Sequence, residues 1–284
     1  MRFKECCIFS MLSVERSSKT LHRHLIKKPI FSIIFGFLFL LFFNSLLWAA
    51  DSSSFFQFST INALLEGVYD GELTIEELLQ KGQIGLGTFD ALDGEMVIIN
   101  GRCFRVNSQG IVEEATANET TPFAAIAQSP SSNSHYLFLI DSLEKLELEL
   151  DQIIKNHNLI HIIHIEADFQ ALKARSVHRQ TKPYPPLTEV TPYQTVFEFT
   201  EMSGDLVGFW CPQYFEGLYV PGYHFHFIDK DLKHGGHLLD CSFLLGTVQI
   251  SPCYDLFLQL PRNQEFARAN LAGKRIDEIQ QVEK

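Results

Sequence analysis

Apolar and polar positions in the first part of the chain follow two different periods. In TINALLEGVYDGELTIEELLQKG the apolar positions are spaced as in two short helices, and Thr74 is placed to cap the second. Apolar and polar residues alternate in the next segment, GLGTFDALDGEMVIINGRCFRVNSQGIVEEA, and the alternation is interrupted at the turn pairs DG, NG and QG. This pattern predicts antiparallel hairpins. LEKLELELDQIIKNH then shows the stripe of an amphipathic helix.

The second part of the chain is almost entirely strand by the same criterion. LIHIIHIEADFQALKARSV predicts a buried strand, and the Pro-rich KPYPPLTEV after it predicts a rigid extended linker. Further strands are predicted in QTVFEFTEMSGDLVGFW, GLYVPGYHFHFID, GGHLLDCSFLLGTVQISPC and DLFLQLP. NQEFARANLAGKRIDEIQQVEK is expected to begin as a helix and to end as a polar tail.

This order of elements predicts an α+β fold. We expect two β-rich halves, with mixed and antiparallel sheets and a few flanking helices, because helices and strands are segregated along the chain. The expected division gives an N-terminal α+β half at 51–170 and a C-terminal β-rich half at 171–284.

The first fifty residues have a composition of their own. Basic residues precede the apolar stretch IFSIIFGFLFLLFF (30–43), and the small Ala49 and Ala50 follow it, which predicts an export signal cut after Ala50. The bulky Trp48 leaves the alternative of an uncleaved N-terminal anchor. In both cases the folded part is exported, periplasmic or secreted, and only an uncleaved segment would give it a stable membrane partner.

Charge and cysteine content narrow the function further. The net charge of −11 argues against nucleic-acid binding, and the 46% hydrophobic content indicates a real core, so a small-molecule substrate is expected. An edge strand of the predicted sheets offers a route to a homodimer. The cysteines beyond the first fifty residues match no zinc or redox motif, and no disulfide is assigned among them: Cys103, Cys211, Cys241 and Cys253.

Four histidines fall within YHFHFIDKDLKHGGH. His224 and His226 point to the same face of a strand, and the DKD turn lets GGHLLD return beside it, so His237 can join them. Three imidazoles with room for water or substrate are typical of a catalytic zinc site, although imidazole also suits copper, iron and nickel. Asp229 lies in the turn, which favours His237 over a carboxylate as the third ligand. His234 is expected to face solvent.

The alternative interpretation is that these histidines are solvated or structural. His161 and His164 are three positions apart in a strand, on opposite faces, and are expected to be structural.

The chain resembles bacterial α-acetolactate decarboxylases over roughly residues 59–261. The resemblance rests on five segments that occur in this order: GLGTFDALDGEM, KPYPPLTEVT, GFWCPQY, VPGYHFHFID and GGHLLD. The resemblance implies zinc-dependent decarboxylation of 2-acetolactate (2-hydroxy-2-methyl-3-oxobutanoate) to acetoin and CO2. It implies that His224, His226 and His237 bind the zinc.

The resemblance also implies four further site residues. Arg175 matches an active-site arginine, Glu95 a glutamate near the metal, and Thr88 a threonine that lines the pocket. A glutamate from the C-terminal tail enters the site, and Glu283 is the better match, with Glu278 as the alternative.

Each of these residue types suits the reaction. A permanently charged guanidinium orients a carboxylate by bidentate contacts, and a carboxyl group of raised pKa delivers the proton that replaces CO2. Taken singly, Arg175 would be interpreted as a surface charge, Glu95 as the flank of a turn and Thr88 as a β-branched strand residue.

Two other classes of function remain open on the residues alone. A secreted metal-dependent hydrolase or oxygenase would use the same histidines, and an oxygenase would stop working without oxygen. A non-catalytic extracytoplasmic metal-binding protein would show no turnover.

Overall fold

The structure is a computed structural model that describes residues 54–131 and 133–283. The predicted export signal or anchor lies outside the described residues. Within them, no helix combines the length and apolar character needed to cross a membrane. The described residues form one compact unit.

Fourteen strands run through the described residues. They are β1 (Ser54–Phe58), β2 (Leu73–Thr74), β3 (Ile84–Thr88), β4 (Glu95–Ile99), β5 (Arg102–Val106), β6 (Val112–Glu114), β7 (Thr120–Thr121), β8 (Ala124–Ala127), β9 (Ser134–Ile140), β10 (Ile160–Ser176), β11 (Thr195–Cys211), β12 (Gly222–Asp229), β13 (Gly235–Cys253) and β14 (Asp255–Gln259).

The α-helices of the described residues are few and short, and they flank the sheets. They are α1 (Ile61–Leu65), α2 (Ile75–Leu79), α3 (Leu143–Ile153), α4 (Leu187–Val190), α5 (Gln264–Arg268) and α6 (Ile276–Glu283). The predicted α+β class, with mixed and antiparallel sheets, is confirmed.

Most of the first sheet comes from the first part of the chain. Its seven strands lie in the order β14-β1-β8-β3-β4-β5-β6, and β14 pairs with β1 in parallel while the other pairs are antiparallel. The turn from β3 to β4 needs Gly94, which has φ +85° and whose Cβ would lie 2.3 Å from the carbonyl oxygen of Val106. This turn sets Thr88 opposite Glu95.

The second sheet closes on itself. Its order is β10-β11-β12-β13-β9, and β10 also pairs with β13, so four strands form a small barrel to which β9 is added. β10 spans position 170, and its pairing with β13 shifts register on either side of that position. The division into two halves at 170 stays a prediction. Along the chain, the strands change from the first sheet to the second between β8 and β9, and β14 returns to the first sheet.

Two predicted segments differ from the structure. The end of the Pro-rich linker forms the short helix α4, because Leu187 and Val190 are buried against the core. The segment expected as a polar tail forms α6, whose Ile279 and Val282 are buried in the core that joins the two sheets. The two early helices are confirmed, and Thr74 caps α2 through a reciprocal capping box.

Candidate active site

Three histidines meet on the hairpin of β12 and β13. His226 lies directly opposite His237, and His224 lies two residues before His226 on the same face. The ring centroids are 4.9 to 5.3 Å apart, and each side chain is almost fully buried. One nitrogen from each ring can be chosen so that all three lie within 4.8 Å of one another. The predicted hairpin and its convergent imidazoles are confirmed.

Hydrogen bonds orient two of the rings toward a common point. Nδ1 of His226 donates to the carbonyl of Met96 at 2.8 Å, which leaves its Nε2 as the free acceptor. Nε2 of His237 donates to the carbonyl of Glu283 at 3.1 Å, so its Nδ1 is an acceptor, and it lies within hydrogen-bond distance of Nε2 of His224, at 3.2 Å. These inward nitrogens are the atoms that a metal ion would bind.

Burial keeps the three imidazoles uncharged. It lowers the pKa of His224 to about 3, with a further contribution from the charge of Arg175. The pKa values of His226 and His237 lie well below the ordinary value, mainly because of burial. Neutral imidazole is the form that binds metal, and three such nitrogens fit a divalent transition-metal ion that keeps open coordination positions.

Arg175 connects the metal-binding histidines to the first sheet and to α6. Its Nη1 donates to Oε1 of Glu95 at 2.8 Å, and its Nη2 donates to the carbonyl of Val282 at 2.8 Å. Its buried Nε has no hydrogen-bond partner among the described residues. The other carboxylate oxygen of Glu95 lies 3.6 Å from Nε2 of His226. Arg175 is therefore a buried cation whose Nε–H is available to a further acceptor.

Glu283 enters the site from α6. Its Oε2 lies 3.2 Å from Nε2 of His224 and 3.8 Å from Nδ1 of His237. Burial raises its pKa to about 7 against the opposing charge of Arg175. The pKa of Glu95 is raised to about 7 as well, first by burial, while Arg175 lowers it and Glu283 raises it further. Both carboxyl groups thus exchange protons near neutral pH.

Thr88 is buried at the wall of the site. Its Oγ1 donates to the carbonyl of Gly94 at 2.7 Å, and the hydroxyl of Thr121 donates to the carbonyl of Thr88 at 2.7 Å. The side chain therefore fixes the β3–β4 turn, and through it the position of Glu95.

A cavity of about 40 Å³ lies among these groups. Its polar lining consists of the residues already described. Its apolar wall was not anticipated from the sequence and is formed by Leu64, Leu92, Phe123, Val177 and Leu187. The available signals were two of the motifs quoted above, GLGTFDALDGEM with Leu92 and KPYPPLTEVT with Leu187, because the other apolar residues look like ordinary core positions.

The remaining candidates lie elsewhere. Glu278 pairs with Arg275 at 2.7 Å and does not reach the histidines, so of the two tail glutamates only Glu283 lies in the site. The ring of His161 bonds the carbonyl of Leu159. His234 is half-buried, not solvent-facing.

The burial of His234 has a backbone cause. The backbone amide of Asp229 donates to the backbone carbonyl of His234 at 2.9 Å, which closes the turn between β12 and β13. In this position the ring of His234 contacts the ring of Phe199.

His164 belongs to a second group of potential ligands. Its Nε2 lies 2.8 Å from Oδ1 of Asp205, and Glu166 completes the group. Lys230 bonds both carboxylates at 3.0 Å.

Comparison with known proteins agrees with this geometry. The family model described as alpha-acetolactate decarboxylase matches residues 55–273. The alpha-acetolactate decarboxylase of Methylococcus capsulatus is 40% identical, over 80% of this chain and 88% of its own length. That of Brevibacillus brevis is 37% identical, over 82% of both chains.

The solved structures give the same result. The crystal structure of alpha-acetolactate decarboxylase from Bacillus subtilis strain 168 superposes with a TM-score of 0.79 at 34% identity, covering 81% of this chain and 99% of that one. With a family match over most of its length, the chain belongs to the alpha-acetolactate decarboxylase family.

Proposed function

We propose that this enzyme, an acetolactate decarboxylase, converts 2-acetolactate to acetoin and CO2 with one zinc ion held by His224, His226 and His237. The observation that carries the proposal is the placement of three buried, uncharged imidazoles beside a buried guanidinium. Such a set of groups fits a small anionic substrate that binds a metal. Family membership supplies the substrate class.

Zinc is proposed because the reaction needs a Lewis acid and no electron transfer, and zinc has no redox chemistry. When bound, the ion stabilises the negative charge that develops on the ketone oxygen as CO2 leaves. Every other step belongs to side chains of this chain.

Arg175 is proposed to bind the substrate carboxylate. Its Nη atoms are occupied by Glu95 and Val282, whereas its Nε is buried and has no partner among the described residues. A carboxylate that accepts from this Nε gains a charge-assisted hydrogen bond at a fixed orientation. The carbon–carbon bond that breaks is then held in one direction relative to the histidines.

The proton that replaces CO2 is proposed to come from Glu283 or Glu95. The electrons of the broken bond move to C2, C3 and the ketone oxygen, and a proton added to C2 completes acetoin. A carboxyl with a pKa of about 7 is partly protonated at neutral pH and can deliver that proton, whereas an ordinary carboxyl cannot. The apolar wall excludes bulk water from the same space.

The test uses purified protein, stripped of metal and reloaded with one equivalent of zinc. We expect release of CO2 and formation of acetoin from 2-acetolactate, at the same rate with and without oxygen. The metal-free protein and the protein reloaded with magnesium are the controls. Zinc-loaded protein that binds the ion but forms no acetoin would refute the proposal, and dependence on oxygen would favour an oxygenase.

Export is also proposed, on the composition of residues 1–50. Cell fractionation and N-terminal sequencing of the mature protein test it. Activity in the cytosolic fraction, with the N-terminal segment intact, would contradict it.

A further inference from the structure

The outward-facing nitrogens of the three site histidines are not equally supported. Nδ1 of His226 donates to the carbonyl of Met96, and Nε2 of His237 donates to the carbonyl of Glu283. Nδ1 of His224 is buried and has no hydrogen-bond partner among the described residues. Histidines that bind metal almost always donate their second N–H to an oxygen, which fixes the tautomer and the ring orientation. His224 therefore still requires an outward acceptor.

This acceptor decides which nitrogen of His224 can bind a metal ion. The inward nitrogen is Nε2, which lies 3.2 Å from Nδ1 of His237 and 3.2 Å from Oε2 of Glu283. A neutral imidazole carries one proton, so Nε2 can bind metal only when that proton is on Nδ1. A buried N–H without an acceptor is costly. The metal-binding tautomer of His224 thus needs an oxygen on the side of Nδ1.

Tyr219 has a hydroxyl oxygen close to this ring. The ring centroids of Tyr219 and His224 lie 5.8 Å apart, and the side chain of Tyr219 is fully buried. Its hydroxyl also lacks a hydrogen-bond partner among the described residues. Burial raises the pKa of Tyr219 well above its ordinary value, with further contributions from Cys211 and Glu283, so the hydroxyl stays uncharged. Two neighbouring buried rings therefore each carry a polar atom that needs a partner.

Aromatic packing holds Tyr219 in this position. Its ring contacts Phe55 and Phe209 edge to face, with centroids 5.6 and 6.0 Å away. It also stacks on Phe123 of the apolar cavity wall at 6.0 Å, although Tyr219 does not itself line the cavity. Because these rings fix its orientation, Tyr219 cannot turn its hydroxyl toward a different part of the core.

We propose that Tyr219 is a positioning residue for His224, and that its hydroxyl oxygen accepts the Nδ1–H of that ring through one bridging water molecule. The two atoms are not bonded to each other directly, and one water satisfies both. The bridge keeps the proton on Nδ1 and leaves Nε2 available to the metal ion. Tyr219 acts on the metal through His224 and touches neither the ion nor the substrate. The inference rests on the zinc site of the proposed function.

A second buried tyrosine provides a matched control. Tyr69 is also fully buried in the same core as Tyr219, and its hydroxyl also lacks a partner among the described residues. Within that part of the chain, the ring of Tyr69 packs on Tyr184 at 5.3 Å and on no histidine. Replacing either tyrosine by phenylalanine removes one oxygen atom from an equally buried ring, so the two variants differ in their distance from the histidines.

The main test is the zinc affinity of the purified protein, measured by competition with a chromophoric chelator. Tyr219→Phe should weaken zinc binding about 10- to 100-fold, which is the usual effect of losing an outer partner of a metal ligand. Tyr69→Phe should bind zinc as the native chain does. At saturating zinc, Tyr219→Phe should recover most of its activity, because Tyr219 does not touch the substrate.

Nuclear magnetic resonance of the imidazole nitrogens gives a second measurement, which a purely structural role of Tyr219 would not change. In the zinc-loaded native protein, His224 should carry its proton on Nδ1, and this proton should exchange slowly with solvent. In Tyr219→Phe it should exchange faster, whereas the outward N–H protons of His226 and His237 should not change. Tyr69→Phe should give the native spectrum.

The outcomes separate this inference from the proposed function. Equal zinc affinity of Tyr219→Phe and Tyr69→Phe, with an active native protein, would overturn the inference alone. So would a native spectrum in which the Nδ1 proton of His224 is absent or exchanges as fast as a solvent-exposed one, a result that requires no variant. A native protein that binds no zinc at all would overturn both.

Discussion

The second sheet carries two groups of potential metal ligands, and they differ in burial and in charge. His224, His226 and His237 are buried and uncharged, and no Lys or Arg among the described residues bonds their inward nitrogens. At His164, Glu166 and Asp205, one carboxylate is largely exposed, and Lys230 already neutralises both. Potential metal ligands therefore form a buried candidate metal centre in one place and an ion-pair network with Lys230 in the other.

The largest effect on activity is expected when a histidine of the buried group is replaced, and the same change in the second group is its control. His226→Ala should lose zinc and at least about a thousandfold of activity, because a Lewis acid supplies several kcal/mol to such a reaction. His164→Ala is the matched control and should keep both. Zinc content by atomic absorption and kcat/KM for 2-acetolactate measure the effect. Equal zinc loss in both variants would remove the distinction.

A second substitution tests whether the buried Arg175 contributes to activity independently of metal binding. Arg175→Ala should keep zinc but lose about a hundredfold of activity or more, since a charge-assisted hydrogen bond to the substrate disappears. Arg175→Lys should restore only part of it, because ammonium lacks the planar fork. Zinc loss in Arg175→Ala would show that this residue acts by supporting the ligands.

The raised pKa of Glu283 predicts a pH-dependent stability. Its folded pKa of about 7 exceeds the ordinary 4.5, so its contribution is fully present below pH 4.5 and is lost as pH rises through 7. In metal-free protein, Glu283→Gln should gain stability relative to the native chain by roughly 3 kcal/mol between pH 4.5 and 8. Urea unfolding measures both proteins. The histidines titrate in both proteins, and loss of the Glu283 charge also lowers the pKa of Glu95, which favours the variant at high pH in the same direction. A difference in stability that stays constant with pH would contradict the shift.

The smallest effect is expected at the surface network. Lys230→Ala removes the cation between Glu166 and Asp205 and should change the free energy of unfolding by less than about 1 kcal/mol. Zinc content should stay at one ion per chain. A second bound ion in this variant would show that Lys230 alone prevents metal binding there.

The histidine hairpin was predictable because its residues are close together in the sequence. Side chains two apart in a strand share a face, which brings His224 and His226 together, and the short turn brings His237 opposite. The α+β class followed from periodicity in the same way, and the family from motifs that lie close to these residues.

Other parts of the site depend on contacts distant in sequence. Alternation does not predict which way Arg175 points, because register shifts interrupt β10 near its end. Glu283 looked like part of a polar tail, although Ile276, Ile279 and Val282 have helical spacing that signals a buried face. Only the resemblance to known decarboxylases pointed to these two residues.

The hydrogen bond from His237 to the carbonyl of Glu283 joins positions 46 residues apart. On the ribosome, the imidazoles therefore emerge well before the segment that orients one of them and supplies the neighbouring acid. At that stage the nascent chain contains the three histidines but not yet Glu283, whose backbone carbonyl accepts a hydrogen bond from His237 in the folded protein. The site is consequently complete only after residue 283 has been translated and α6 has docked beside the histidines.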